Sequence, residues 1–152
     1  MFEGTEIIKC RSVLNSITPD FDGLLQITEA IGCNGYYVFT MDSSDPGTFV
    51  SGRMFAPAIG INEDPVTGNA NGPAGVYLYH HGVLKSDTGN GLVLYRALQG
   101  EAMGKPGIVE VSLHIKNGVL AKVQVAGSGV VVPLLWRTEL SPIGCTGSRQ
   151  RR

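Results

Sequence analysis

From residue 91 onward the chain repeats one pattern. The runs GLVLYRALQG, GIVEVSLHIKNG, VLAKVQVAGSG and VVVPLLW alternate in polarity and are separated by glycines. A period of two sends successive side chains to opposite faces, so each run reads as a strand with one face to bury. Lys116-Asn117-Gly118 stands between two of these runs. Asn and Gly tolerate positive φ, so this is a strong hairpin signal. Antiparallel sheet is therefore the frame into which the rest of the chain has to fit.

The first half adds helices to that frame. TEIIKCRSV reads as a short strand. DFDGLLQITEAIGC reads as a helix with Asp20 as N-cap and Leu24, Leu25, Ile27 and Ile31 as its apolar positions. GYYVFTM is aromatic and β-branched, hence a strand. DSSDPG is a loop, and TFVSGRMFA is the next strand, with Phe49, Ser51, Arg53 and Phe55 on one side. A second helix is expected from about Asn69 to His81, stopped by Gly82. It is apolar nearly all round, which predicts burial inside other structure. The expected class is α+β: a curved, mostly antiparallel, barrel-like sheet wrapped around one central helix.

Bulk properties narrow the function classes. The chain has 152 residues, of which 43% are hydrophobic and 16% charged, enough for one domain with a core. A net charge of −1 gives no electrostatic reason to expect nucleic acid or an anionic membrane as partner. No apolar run is long enough to span a bilayer, and the first residues lack the pattern of a signal peptide. Cys10, Cys33 and Cys145 make neither a zinc pattern nor a disulfide framework. A cytoplasmic protein without metal is expected. Residues 1–136 read as a single domain. RTELSPIGCTGSRQRR loses apolar periodicity, so residues 137–152 read as a disordered or non-native tail.

The chemistry concentrates in APAIGINEDPVTGNANGPAGVYLYHHG, residues 56–82. A helix N-terminus carries free N–H groups and the positive end of the macrodipole, so it favours anions such as a carboxylate. Small residues let a ligand approach the backbone. Thr67, Gly68, Asn69 and Ala70 therefore form a candidate small-anion cradle, to which Asn69 and Asn71 add side-chain amides. Asp64 lies just upstream and could orient an amine or hydroxyl, or move a proton. Glu63 and Asp64 are adjacent in an extended segment, so they point opposite ways and do not form a carboxylate pair. The bland alternative is that Thr67 or Asn69 only caps the helix and that Asp64-Pro65 only starts a turn. Gly68, Gly72 and Gly75 do not make a dinucleotide fingerprint, and no phosphate-binding Gly-Lys-Ser/Thr is present. His80 and His81 suit the helix C-terminus better than a metal.

RMFAPAIGINEDPVTGNANGPAGVYLYHHG resembles the signature of the phenazine-biosynthesis PhzF-like family, R-x-F-x-P…G…E-D-P-x-T-G-S/N-A followed by a buried helix. LQGEAMGKPG is similar to the family's downstream Q-G-x-x-x-G-R-P segment, with Lys105 in the arginine place. The resemblance covers roughly residues 5–133. It implies one half of a diaminopimelate-epimerase-like fold, in which two similar halves face each other across a cleft. It also implies a cofactor-independent isomerase that moves a proton on a small carboxylic acid. Asp64 matches the family's substrate-contacting aspartate, and Gly68 and Asn69 match its carboxylate-binding turn. Asn69 stands where many members have serine, so a hydroxyl role there is lost while a backbone contact survives.

The chain matches only the C-terminal half of such proteins, and the family's acid/base glutamate belongs to the other half. Two readings follow. One is the isomerase, completed by a missing N-terminal half or by a second copy in a homodimer. The other is a non-catalytic small-carboxylate binding module that keeps the cradle.

Overall fold

In the computed structural model the chain is described from residue 4 to residue 130, Thr88 excepted. Seven strands share one sheet: β1 Gly4–Ile7, β2 Tyr36–Thr40, β3 Val50–Ala56, β4 Ile61–Asp64, β5 Gly91–Gln99, β6 Gly107–Lys116 and β7 Val119–Gly127. The helices are α1 Arg11–Ser16, α2 Phe21–Ile31 and α3 Gly68–His80, with short 3₁₀ turns at Pro57–Ile59 and Glu101–Met103. The strand order is β1-β2-β3-β5-β6-β7, and β4 also pairs with β3. Only the β1–β2 and β3–β5 pairings are parallel. Among the described residues no helix is long and apolar enough to cross a membrane.

The hairpin forms as its residues require. Asn117 and Gly118 both adopt positive φ, 53° and 74°, between β6 and β7. The polarity alternation places Val109, Val111, Leu113 and Ile115 of β6 in the core. They meet Val93, Tyr95 and Ala97 of β5 and Ala70, Ala74 and Leu78 of α3. The curved sheet thus wraps the central helix, and the small residues of α3 let strand and helix backbones approach. At Gly75 an added Cβ would stand 2.7 Å from the Tyr95 ring.

Three local expectations need correction. TEIIKCRSV is a strand only to Ile7, and Arg11–Ser16 is helical. Tertiary partners decide this: Leu14 is buried, Asp42 Oδ2 accepts from the Arg11 N–H, and Arg53 Nη1 donates to the carbonyls of Leu14 and Ile17. In α2, Asp20 does cap, accepting from the Gly23 N–H, and Gly32 closes the helix in the left-handed conformation. Yet Leu25, Ile27 and Ile31 are exposed, and Thr28 is the buried residue. The helix stands off the sheet, leaving a groove of about 550 Å³ between Leu24, Ile27, Ile8, Val38 and Phe55. Finally, β3 begins at Val50, after Phe49. Within it the expected alternation holds: Val50, Met54 and Ala56 enter the core cluster, and Ser51, Arg53 and Phe55 lie on the opposite side, where Arg53 engages the carbonyls of Leu14 and Ile17. All seven residues are buried, because both faces of the strand are covered. Phe49 lies outside the strand and is exposed.

The strand expected at VVVPLLW and the tail at 137–152 lie outside the described residues.

Candidate functional site

One edge of β3 is shared. Its first residues pair with the end of β5, Gln99 opposite Gly52, and its last residues pair with β4, Asp64 opposite Met54. The two strands therefore part at a fork, and α3 begins in that fork. This topology brings the end of β4, the first turn of α3 and the end of β5 together.

Within β4, alternation separates the two acids. Glu63 turns to Arg53, whose Nε and Nη2 each donate to a different Glu63 oxygen at 2.8 Å. Asp64 turns the other way and accepts from the Thr67 hydroxyl at 2.6 Å through Oδ2. The expectation that the two acids do not act as a pair holds.

Thr67 occupies the N-cap position of α3, but its side chain makes no capping bond. Its hydroxyl serves Asp64 instead, and Gln99 takes over the backbone, its Oε1 accepting from the Thr67 N–H at 3.2 Å. Asn69 does not cap either and is exposed. The N–H groups of Gly68, Asn69 and Ala70 find no acceptor among the described residues. They are the orphan donors of a helix mouth. Pro73, inside α3, has no N–H to donate to the Asn69 carbonyl.

Asp64, Thr67 and Asn69 line one small cavity of about 140 Å³, together with Asn34, Met54, Ala56, Ile59 and Ile61. Of the five residues expected at the site, these three meet in it. Gly68 lies half-buried in the first turn, beside Val125 of β7. The Ala70 methyl points into the core, so only its N–H can serve a ligand. Asp64 is the one ionisable side chain among the lining residues. Larger grooves exist elsewhere: one beside α2 is mainly apolar, with its carboxylate, Asp20, engaged in capping that helix, and another gathers scattered residues between the end of α3 and β7.

A family model described as phenazine biosynthesis-like protein matches residues 7–133. The chain belongs to this family. It is 49% identical over 125 residues to an uncharacterized isomerase of Clostridium acetobutylicum, covering 82% of this chain and 41% of that protein. It is 36% identical over 78 residues to a trans-2,3-dihydro-3-hydroxyanthranilate isomerase of Pseudomonas chlororaphis, covering 51% of this chain and 26% of that one. The crystal structure of a Bacillus anthracis phenazine biosynthesis protein of the PhzF family superposes with a TM-score of 0.62 at 22% identity, over 78% of this chain and 39% of the other. The fold is therefore the diaminopimelate-epimerase-like one that the resemblance implied. The chain spans about two-fifths of the length of the first of these relatives.

Sequence reasoning missed Gln99, Tyr37 and Tyr95 behind the cavity wall, and it placed the Asn71 amide in the cradle, whereas the structure turns that amide inward. Gln99 is 1% exposed and makes four hydrogen bonds. Its Nε2 donates to the Asp64 carbonyl at 2.6 Å and to Thr67 Oγ1 at 3.0 Å. Asn71, fully buried, donates from Nδ2 to the Thr67 carbonyl and to Gln99 Oε1, and accepts from the Tyr37 hydroxyl at 2.7 Å. The Tyr95 hydroxyl donates to the Asn71 carbonyl. Burial pushes the phenols of Tyr37 and Tyr95 well above their usual range, so both remain neutral donors. The available signal was a polar residue closing the short apolar run Ala97-Leu98 at the end of β5, all three residues being buried. A buried amide is retained only where its hydrogen bonds are made.

Proposed function

We propose that this chain is the substrate-holding part of a cofactor-independent isomerase of the PhzF type, acting by proton transfer on a small carboxylic acid. The observation that carries the reading is the pairing of Asp64 with the unbonded N–H groups of the α3 mouth. A substrate carboxylate placed there meets fixed donors and the positive end of a helix. Such donors also stabilise negative charge that develops next to the carboxylate when a neighbouring carbon loses its proton. Asp64, within the same cavity, orients a substrate amine or hydroxyl. The names of the relatives, isomerases in each case cited, support this class of reaction.

A proton shift on carbon needs a group that removes the proton and one that returns it. The second wall of the cleft, with that group, comes in this reading from a longer chain or from a second copy facing the first. One observation favours the alternative, a carboxylate-binding module without turnover: among the described residues, Asp64 is the only ionisable side chain lining the cavity.

Solvent-deuterium incorporation separates the two. The chain is incubated in heavy water with trans-2,3-dihydro-3-hydroxyanthranilate and with a panel of amino-acid and cyclic carboxylates, and the products are weighed by mass spectrometry. Deuterium at a substrate carbon, abolished in Asp64→Ala, supports the isomerase. Saturable binding without exchange supports the module. Absence of both removes this cavity as a carboxylate site.

A further inference from the structure

We propose that Gln99 is a positioning residue for Asp64: it directs the Thr67 hydroxyl at Asp64 Oδ2, so that the carboxylate meets a ligand as an acceptor of N–H or O–H. The inference rests on the reading of Asp64 as the residue that orients the substrate.

The directions of the hydrogen bonds carry the argument. A backbone carbonyl can only accept, so the Gln99 atom 2.6 Å from the Asp64 carbonyl is its NH₂ group. A backbone N–H can only donate, so the atom facing the Thr67 N–H is the Gln99 oxygen. The amide orientation is thus dictated by its partners and not by the likeness of oxygen and nitrogen in shape. The same NH₂ group lies 3.0 Å from Thr67 Oγ1 and has no lone pair to offer. Thr67 must accept there. Its single proton is then left for Asp64 Oδ2, 2.6 Å away.

The links behind Gln99 run the same way. The Thr67 carbonyl, 2.8 Å from Asn71 Nδ2, fixes the Asn71 amide with NH₂ toward Gln99 Oε1 and Oδ1 toward Tyr37. Tyr37 therefore donates. From Tyr37 through Asn71, Gln99 and Thr67 to Asp64, each bond between side chains points toward the carboxylate. Bonds aligned in this way polarise one another in a buried setting. The series ends on Oδ2, and Oδ1 has no partner among the described residues, which leaves it for a ligand. Held as an acceptor, Asp64 favours a ligand bearing an amine or hydroxyl near its carboxylate, and it disfavours a ligand bearing a second carboxylate.

Two experiments test this. Neutron diffraction from a perdeuterated crystal of the unmodified chain locates the Thr67 hydroxyl deuteron. A deuteron directed at Asp64, with both Gln99 amide deuterons directed at the Asp64 carbonyl and Thr67 Oγ1, is the expected result. A deuteron directed at Gln99 overturns the proposal, and this readout needs no ligand and no variant.

The second experiment titrates anthranilate and phthalate, which share a benzoate frame and differ in an ortho amine against an ortho carboxylate. A preference for anthranilate of about tenfold is expected, the scale of one hydrogen bond to a charged group. It should fall to about twofold in Thr67→Val and Gln99→Met and be kept in Thr67→Ser. A ratio in Gln99→Met equal to that of the unmodified chain overturns the positioning role. If neither probe binds the unmodified chain, the reading of the cavity as a carboxylate site fails, and the deuteron position still decides what Gln99 does.

Discussion

Arg53 and Glu63 form a two-pronged ion pair inside the protein, Nε to Oε1 and Nη2 to Oε2, each at 2.8 Å. The two side chains are only 7% and 15% exposed. Arg53 also donates to the carbonyls of Leu14 and Ile17, and its guanidinium lies 4.8 Å over the Phe55 ring. One cation thus ties the end of α1 to β3 and β4, and it holds β4 in the register that turns Asp64 toward the cavity.

Removing the cation should therefore be costly. Arg53→Met leaves a half-buried carboxylate and two carbonyls without their donor. A loss of about 3 kcal/mol is expected, as for other broken buried pairs. Urea unfolding measures it. A loss below about 1 kcal/mol, the scale of an exposed pair, would show that the bridge contributes little.

Asp64→Asn should separate site from scaffold. The amide oxygen can still accept from Thr67, so the fold keeps its bond and stability should change by no more than about 1 kcal/mol. The charge is gone, and anthranilate affinity should drop about tenfold by calorimetry. Unchanged affinity would take Asp64 out of the site.

Two glycines on α3 should respond in opposite senses to the same substitution. At Gly75 an added Cβ would lie 2.7 Å from Tyr95 Cε1 and 3.2 Å from Val111 Cγ1. Gly75→Ala should cost about 1–3 kcal/mol through overpacking. At Gly72 the nearest atoms are Val125 Cγ2 at 3.4 Å and Val123 Cγ1 at 3.6 Å, ordinary contact distances. Gly72→Ala should be neutral or stabilise by up to about 1 kcal/mol, because alanine is the better helix former. Melting curves of both variants decide; equal losses would contradict the packing described for α3.

Alkaline pH should destabilise the fold through Tyr37 and Tyr95. Burial raises both phenols above the usual value of 10.0, so the folded state retains protons that the unfolded state releases. Their contribution is full below pH of about 10 and is lost as pH rises beyond it. The chain has five tyrosines. Followed by ultraviolet absorbance, Tyr37 and Tyr95 should ionise only together with unfolding, and the melting temperature should fall across the same range. Early, reversible ionisation of all five would mean that the network behind the cavity is open to water.

How much of this was legible depended on whether a residue's partners lie close in sequence. The alternating runs, the Asn117-Gly118 turn, the Asp20 cap and the central helix were all readable, because each follows from steric or hydrogen-bonding preferences within a few residues. The separation of Glu63 from Asp64 was readable for the same reason, since alternation in a strand is local. The strand expected over TEIIKCRSV stops at Ile7, and its last residues turn helical because α1 is held by Arg53, about 40 residues away. The exposed face of α2 was also unreadable, because its apolar pattern says which side is greasy and not whether the sheet reaches it.

The sequence by itself determined the sheet, the helix it wraps, and a carboxylate beside a small-residue helix mouth. Only the tertiary structure decided that Thr67 serves Asp64 and not the helix end, and that Gln99 stands behind both. The reason is the fork on β3: Gln99 and Asp64 are 35 residues apart along the chain, and only the shared edge of that strand brings a buried amide within hydrogen-bond distance of the turn it organises.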